Sequence, residues 1–279
     1  MKMEQQVTPI GIFDSGYGGL TILSDLKKRL PEYDYLYLGD NARAPYGPRS
    51  FDVVYQFTLE AVKFLFDQGC ELVILACNTA SAKALRTIQQ NDLPTLAPSK
   101  RVLGVIRPTS EVIGNYSENK HVGILATEGT IKSDSYRLEI AKFFPNLEIS
   151  QKSCPMWVPL IENQLHEEEG GKWFIRRDIE RLFEKDSNID TLLLGCTHYP
   201  LVASIVRDIV GSGVKVLTQG EIVADSLKAY LDRHLSMDNR CSKHGTISYL
   251  TTETAEDFDK RASKFLKEPI RSKHVVLHS

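Results

Sequence analysis

Two cysteines stand where reactive thiols belong. Cys77 follows the apolar run Leu72-Val73-Ile74-Leu75-Ala76 and opens an alanine-rich helical stretch, and Cys196 follows Leu192-Leu193-Leu194-Gly195 in the same manner. In open α/β sheets, ligands bind at the carboxyl ends of strands. Helix N-termini gather free N–H groups and positive potential there, and a thiol so placed is expected to have its pKa lowered toward the thiolate. Asn78, Thr79 and Thr197 add side-chain donors beside the two sulfurs, a setting suited to a substrate carboxylate. Pro200 suits the first turn of the second helix and would fix where its free N–H groups point.

Two such thiols admit three chemistries. A disulfide-exchange enzyme keeps its pair close in sequence, which 77 and 196 are not. Acyl transfer by a Cys–His pair needs one thiol only, and His198 stands two residues from Cys196. Two acid–base groups on opposite faces of one carbon suit removal of a proton from one side and its return from the other, which is racemisation or epimerisation. The other thiols, Cys70, Cys154 and Cys241, have no comparable setting and read as buried small hydrophobes. Five cysteines without a CxxC pair argue against a disulfide framework and against a four-ligand zinc site. Cys241 and His244 have ligand spacing but no second pair, so no metal site is expected.

Elements that would position these residues can be read from periodicity. Pro9 to Phe13, Tyr35 to Gly39 and Leu72 to Ala76 read as strands. Leu20, Ile22, Leu23, Leu26 and Leu30 mark a helix that Pro31 ends, and a second helix is expected over about 51–68 with Val54, Phe57, Leu59, Ala61, Phe64 and Leu65 as its apolar residues. This rhythm predicts an α/β fold with largely parallel sheets flanked by helices.

The second half restarts the pattern. His121-Val122-Gly123-Ile124-Leu125-Ala126-Thr127 echoes the segment from Ile10 to Ser15, aligning Gly123 with Gly11 and Thr127 with Ser15. Likewise, the strand before Cys196 echoes the strand before Cys77. Two similar domains are therefore expected, with the active site in the cleft between them. The first takes residues 1–100 plus 216–279 and the second 101–215, with the proline-containing stretch from Leu93 to Pro108 as a crossing. The last residues of the chain, including Lys267, Arg271, Lys273 and His274, read as a loosely held tail.

Composition sets outer limits. Against 36 acidic residues stand 34 Lys and Arg, a net charge of −2, so nothing draws the chain toward nucleic acid or anionic lipid. With 42% hydrophobic and 25% charged residues in 279, the sequence can bury a sizeable core and is not that of a disordered chain. The polar start from Met1 to Gln6 lacks the apolar stretch of a secretory signal, and no apolar run is long enough to span a bilayer. A soluble, cytoplasmic protein is expected.

Four segments carry a family resemblance: Phe13-Asp14-Ser15-Gly16, Pro45-Tyr46-Gly47, Ala76-Cys77-Asn78-Thr79-Ala80-Ser81 and Leu194-Gly195-Cys196-Thr197-His198-Tyr199-Pro200. In order and spacing, over residues of about 9 to 230, they resemble the signatures of bacterial glutamate racemases in the wider aspartate/glutamate racemase superfamily. The resemblance implies a cofactor-independent isomerase that interconverts L- and D-glutamate and supplies D-glutamate for peptidoglycan. It implies Cys77 and Cys196 as the two proton donors and acceptors, Cys77 for the proton of D-glutamate and Cys196 for that of L-glutamate. Asp14, His198 and Glu162 would assist the thiols, while Asp14, Ser15, Tyr46, Gly47, Asn78, Thr79, Thr197 and His198 would hold the substrate. The carboxyl-terminal stretch would pack back onto the first domain. Glutamate is thus the expected small-molecule partner, with no nucleic acid, membrane, metal or cofactor, and a homodimer is the expected assembly.

Departures from the pattern stand at Asn41, where threonine is common, at Arg107, where glutamate is common, and at Thr218-Gln219-Gly220, in place of an Asp-Ser-Gly-like stretch. None touches the four signatures. Alternatives remain at this stage. Aspartate or hydantoin racemisation would use the same two thiols, and a Cys–His hydrolase or a binding protein would not need both. Asp14 and Ser15 could simply cap a helix, His198 could be a structural histidine, and Glu162 could belong with Glu167, Glu168 and Glu169 to a solvated face. Gly16-Tyr17-Gly18-Gly19 fits neither dinucleotide nor P-loop spacing, and Tyr17 and Trp157 read as packing aromatics.

Overall fold

The computed structural model describes residues 7–277, so the polar start from Met1 to Gln6 lies outside the described residues. Ten strands are described, and every pairing between them is parallel. They are β1 (Ile10–Asp14), β2 (Tyr35–Gly39), β3 (Leu72–Leu75), β4 (Arg101–Gly104), β5 (His121–Ala126), β6 (Glu148–Ser153), β7 (Thr191–Gly195), β8 (Lys215–Leu217), β9 (Ile247–Thr251) and β10 (Ser272–His274). One six-stranded sheet runs β10-β9-β2-β1-β3-β4, and a four-stranded sheet runs β6-β5-β7-β8.

Uninterrupted apolar sequence makes the central strands. β1, β2, β3 and β7 are buried at every residue because helices cover both faces of each sheet. Side chains alternate between those faces. Ile10, Ile12, Tyr35, Tyr37, Leu72 and Ile74 join one core with Leu20, Leu23 and Leu227, while Phe13, Leu36, Leu38, Val73 and Leu75 join another with Val54, Val62 and Leu65.

The two sheets share a topology. In each, the first strand pairs with the second on one side and the third on the other, with the fourth beyond: β2-β1-β3-β4 and β6-β5-β7-β8. The aligned pairs Gly11/Gly123 and Ser15/Thr127 therefore fall on or just after the corresponding strands β1 and β5, and Cys77 and Cys196 follow β3 and β7.

Several expectations need correction. Arg101–Gly104 pairs with β3 and completes the first sheet, and Lys215–Leu217 pairs with β7 in the second. The first sheet therefore runs on to Gly104, inside the stretch from Leu93 to Pro108 expected as a crossing, and the second sheet includes the strand Lys215–Leu217. In the helix Phe51–Asp67 the buried residues are Val54, Thr58, Ala61, Val62 and Leu65, while Phe57, Leu59 and Phe64 lie only partly buried at its margins. The supposed tail is structured as well. β10 pairs with β9, β9 pairs with β2, and Val275 and Leu277 pack on the first sheet's second core. The carboxyl-terminal stretch thus widens the first sheet. Among the described residues, no helix is long and apolar enough to cross a membrane.

Candidate active site

The first sheet delivers Asp14, Ser15 and Cys77 to one edge. Asp14 is the last residue of β1, and Cys77 caps the helix Asn78–Lys83, its Sγ accepting from the Ala80 N–H at 3.5 Å. Ser15 Oγ lies 3.4 Å from the same sulfur. The Asp14 carboxylate is buried, with Oδ2 accepting the Gly16 N–H at 2.9 Å and Oδ1 without a hydrogen-bond partner among the described residues. Burial pushes the Asp14 carboxyl up, against the pull of His198 and the N–H groups of Gly19 and Gly16.

Cys77 does not follow the expected lowering. Burial, reinforced by the Asp14 charge, pushes its thiol up to about 12, against the hydrogen bonds of Ser15 and the Ala80 N–H. Desolvation of a fully enclosed sulfur outweighs one short helix terminus.

The second sheet delivers a different set. Cys196 Sγ lies 4.0 Å from His198 Nδ1, and His198 Nε2 lies 2.9 Å from Glu162 Oε1. Glu162 ends the helix Trp157–Glu162, apart from the solvated run Glu167 to Glu169. Burial opposes charge on His198, but its bonds to Cys196 and Glu162 outweigh burial and raise its pKa to about 10. Both bonds thus favour the charged form of the imidazole that faces the second sulfur.

The two edges meet closely. A Cβ on Gly18 would stand 2.3 Å from Thr197 Oγ1 and 2.5 Å from His198 Nδ1, so only glycine lets the first sheet's loop approach the second cysteine's motif. That close approach is what the glycine-rich loop provides. Thr21 Oγ1 donates to the Thr197 carbonyl at 2.9 Å, and Thr79 Oγ1 lies 2.9 Å from Thr127 Oγ1. Gly47 packs on Thr127, with 3.3 Å left for a Cβ.

Each residue named from the sequence can now be placed. Asp14, Ser15, Asn78 and Thr79 gather around Cys77, and Thr197, His198 and Glu162 around Cys196. Tyr46 differs: its ring is buried against Phe13 and Phe57, and its hydroxyl bonds Asp40, which Arg43 also holds at 2.7 Å. Its side chain is therefore a loop anchor, leaving the backbone at Tyr46-Gly47 to face the other lobe. Tyr17 stacks on Phe258 with ring centroids 5.4 Å apart, and Trp157 packs on Tyr199 while donating to Asp178 at 3.1 Å.

Cys70, Cys154 and Cys241 are all buried, and burial raises each pKa. Cys241 donates to the Met237 carbonyl at 3.4 Å, while His244 Nδ1 lies 2.7 Å from Asp34 Oδ2, so the two face different partners. Among the described residues, no group of three or more His, Cys, Asp or Glu side chains is arranged to hold a metal ion.

Four residues that contact motif residues escaped the motif reading: Thr21, which bonds Thr197; Thr127, which bonds Thr79; and Tyr136 and Gln219, both hydrogen-bonded to Asn78. Thr127 had a signal, its alignment with Ser15. Gln219 had only its place in a departing segment, and Thr21 and Tyr136 had none.

Comparison with known proteins finds relatives over nearly the whole chain. A family model described as Asp/Glu/Hydantoin racemase matches residues 21–227, a span containing both cysteines. A glutamate racemase from Ruegeria pomeroyi is 41% identical over 275 residues, covering 94% of this chain and 97% of the relative. Among solved structures, a glutamate racemase isoform from Bacillus anthracis superposes with a TM-score of 0.88 at 31% identity, covering 97% of this chain and 98% of that one. A glutamate racemase from Francisella tularensis, solved in complex with D-glutamate, gives a TM-score of 0.86 at 32% identity and covers 99% of each chain.

Proposed function

The chain belongs to the Asp/Glu/Hydantoin racemase family and is an isomerase, and from that premise we propose that it interconverts L- and D-glutamate by proton transfer between Cα and two thiols, Cys77 and Cys196. One observation carries the mechanism: equivalent strand ends of two like sheets present one cysteine each, with different proton-holding groups beside them. Glutamate as substrate rests on the relatives, including the Francisella tularensis protein bound to D-glutamate.

The α-proton of an amino acid is weakly acidic, so its base must be a thiolate poised at Cα in a site that excludes water. A thiol on the opposite face must then return a proton. Cys77, whose pKa burial raises, is suited to arrive as the donor, with Asp14 able to restore its proton. Cys196, facing a protonated His198, is suited to begin as the base on L-glutamate. For D-glutamate the roles reverse. Backbone and side-chain donors of Ser15, Asn78, Thr79 and Thr197, with the Tyr46-Gly47 backbone, would bind the two carboxylates. This chemistry needs no cofactor. We place it in the cytoplasm, in a homodimer, supplying D-glutamate to peptidoglycan synthesis.

A second reading has an observation in its favour. Cys196, His198 and Glu162 form the nucleophile–base–orienter chain of a thiol hydrolase. Such an enzyme has no use for Cys77. The test is to incubate the pure protein with L-glutamate, without pyridoxal phosphate, and follow optical rotation to zero. In D2O, deuterium should enter Cα as the rotation falls. Loss of activity on dialysis against a chelator, restored by metal, or unchanged rotation in the intact protein, would overturn the proposal.

A further inference from the structure

Three side chains from distant parts of the chain close a hydrogen-bonded ring behind the first cysteine. Asn78 Nδ2 donates to Gln219 Oε1 at 2.8 Å, Gln219 Nε2 donates to the Tyr136 hydroxyl at 2.8 Å, and that hydroxyl donates to Asn78 Oδ1 at 2.6 Å. All three residues are buried. Asn78 opens the helix after Cys77, Tyr136 lies on the helix Ser135–Ile140 against the second sheet, and Gln219 sits where the chain leaves β8 to begin the helix Gly220–Arg233.

The direction of the ring is fixed by chemistry. Gln219 Nε2 also lies 3.1 Å from the Val105 carbonyl oxygen, and a carbonyl can only accept. The nitrogen must therefore face Val105, which leaves Oε1 toward Asn78. Since Oε1 also can only accept, Asn78 must turn its nitrogen to Gln219 and its oxygen to Tyr136. Thr109 Oγ1, 3.0 Å from Nε2, donates its own proton to the Val105 carbonyl at 3.1 Å, so it can only accept from Gln219 and shares with that carbonyl the N–H not given to Tyr136. A backbone carbonyl at the passage between the sheets thus dictates which end of the Asn78 amide points where. Head-to-tail rings of this kind strengthen each member.

We propose that Gln219 is a positioning residue: it locks the Asn78 amide so that its second N–H, not taken by Gln219, is offered to a substrate carboxylate. A reversed amide would offer oxygen to that carboxylate instead. The inference rests on the reading that Asn78 contacts glutamate. It also gives the departing segment Thr218-Gln219-Gly220 a role.

The test is a double-mutant cycle on KM for both enantiomers of glutamate, with Asn78→Ala, Gln219→Met and the pair. Asn78→Ala should raise KM at least tenfold. Gln219→Met should raise it about tenfold, more than it lowers kcat, in line with a weakened hydrogen bond to a charged group. On the Asn78→Ala background, Gln219→Met should change KM less than about twofold while still lowering Tm. Equal KM factors on both backgrounds, or an unchanged KM in Gln219→Met, would overturn the positioning role. Should Gln219→Met not fold, Tyr136→Phe removes the hydroxyl that holds Asn78 Oδ1 and keeps the ring volume. The same non-additive rise is then expected, and additivity again refutes the role. Wild-type protein that does not racemise glutamate would refute the proposed function. Racemising protein whose KM ignores Asn78→Ala would refute only the Asn78 contact and, with it, the role of Gln219.

Discussion

The two sheets repeat one backbone plan, but their cysteines keep different company. Around Cys77 stand a hydroxyl, a helix N–H and a buried carboxyl pushed toward its neutral form. Around Cys196 stand an imidazole pushed toward its cation and a carboxylate that secures it. A shared strand order places two sulfurs equivalently, as the proposed proton transfer on two faces of one carbon requires. Equivalent sulfurs with equivalent protonation would stall, because both would begin as acid or both as base. The repeat supplies symmetry of position, and the divergent neighbours supply asymmetry of charge.

The sharpest way to break that comparison is to remove one sulfur at a time. Cys77→Ser and Cys196→Ser should each lower racemisation by about a thousandfold or more in both directions, within the range for losing a general base. Both directions must fall together in kcat/KM, since enantiomers are equal in energy. A substrate with a good β leaving group separates the sulfurs, because elimination needs only the base on one face. Cys77→Ser should still eliminate from the L-isomer and Cys196→Ser from the D-isomer. Equal elimination from both hands by both variants would end the two-thiol mechanism and restore the Cys196–His198 hydrolase.

Removing a neighbour rather than a sulfur should sharpen the contrast. We expect His198→Asn and Asp14→Asn each to slow turnover by about ten- to a hundredfold. His198→Asn should enlarge the α-deuterium isotope effect mainly with L-glutamate, and Asp14→Asn mainly with D-glutamate. The same enlargement for both enantiomers in both variants would show that the neighbours do not divide the work.

Contact between the lobes gives a smaller effect. In Gly18→Ala the added methyl meets Thr197 Oγ1 at 2.3 Å, so the loop or the Cys196 motif must shift. A cost of about 1–3 kcal/mol, as for overpacked cores, and roughly tenfold lower kcat are expected by thermal denaturation and by assay. An alanine variant with unchanged Tm and kcat would show that the approach is not needed.

Much of this site was legible as residue type and order. Cys77 and Cys196 stood out because apolar runs ended at them, and a strand covered on both faces has to read as such a run. What escaped was decided by contacts between distant segments. The pairing of β10 with β9 is invisible in a short, charged segment such as Ser272-Lys273-His274. The Cys77 pKa depends on how completely its surroundings exclude water, which no motif records. Tyr46 reads as a substrate ligand by its motif, yet its hydroxyl goes to Asp40. Gln219 showed only as a departure from a pattern, and its bonds could not be read because its partners, Asn78, Val105 and Tyr136, come from three separate segments.

The smallest effect is on stability, and here the two lobes should separate by pH. Both Asp14 and His198 hold their protons more tightly in the folded chain than in the unfolded one. A group whose pKa rises on folding contributes stability that is full below its unfolded pKa and is lost as pH rises through the folded value. For His198 that loss runs from about pH 6.5, the unfolded value, up to about 10. For Asp14 it begins near pH 4, because an unfolded aspartate titrates at about 3.9. The contributions of these two groups should therefore fall with rising pH in two separate ranges, the upper belonging to the Cys196 side and the lower to the Cys77 side. His198→Asn should flatten the upper step and Asp14→Asn the lower, when Tm is compared between wild type and variant from pH 4 to 10. Groups that do not interact with the substituted residue cancel in that difference. A Tm gap between wild type and His198→Asn that stays constant from pH 6 to 10 would mean that the imidazole is not held as a cation, and the contrast between the neighbours of the two sulfurs would lose its main support.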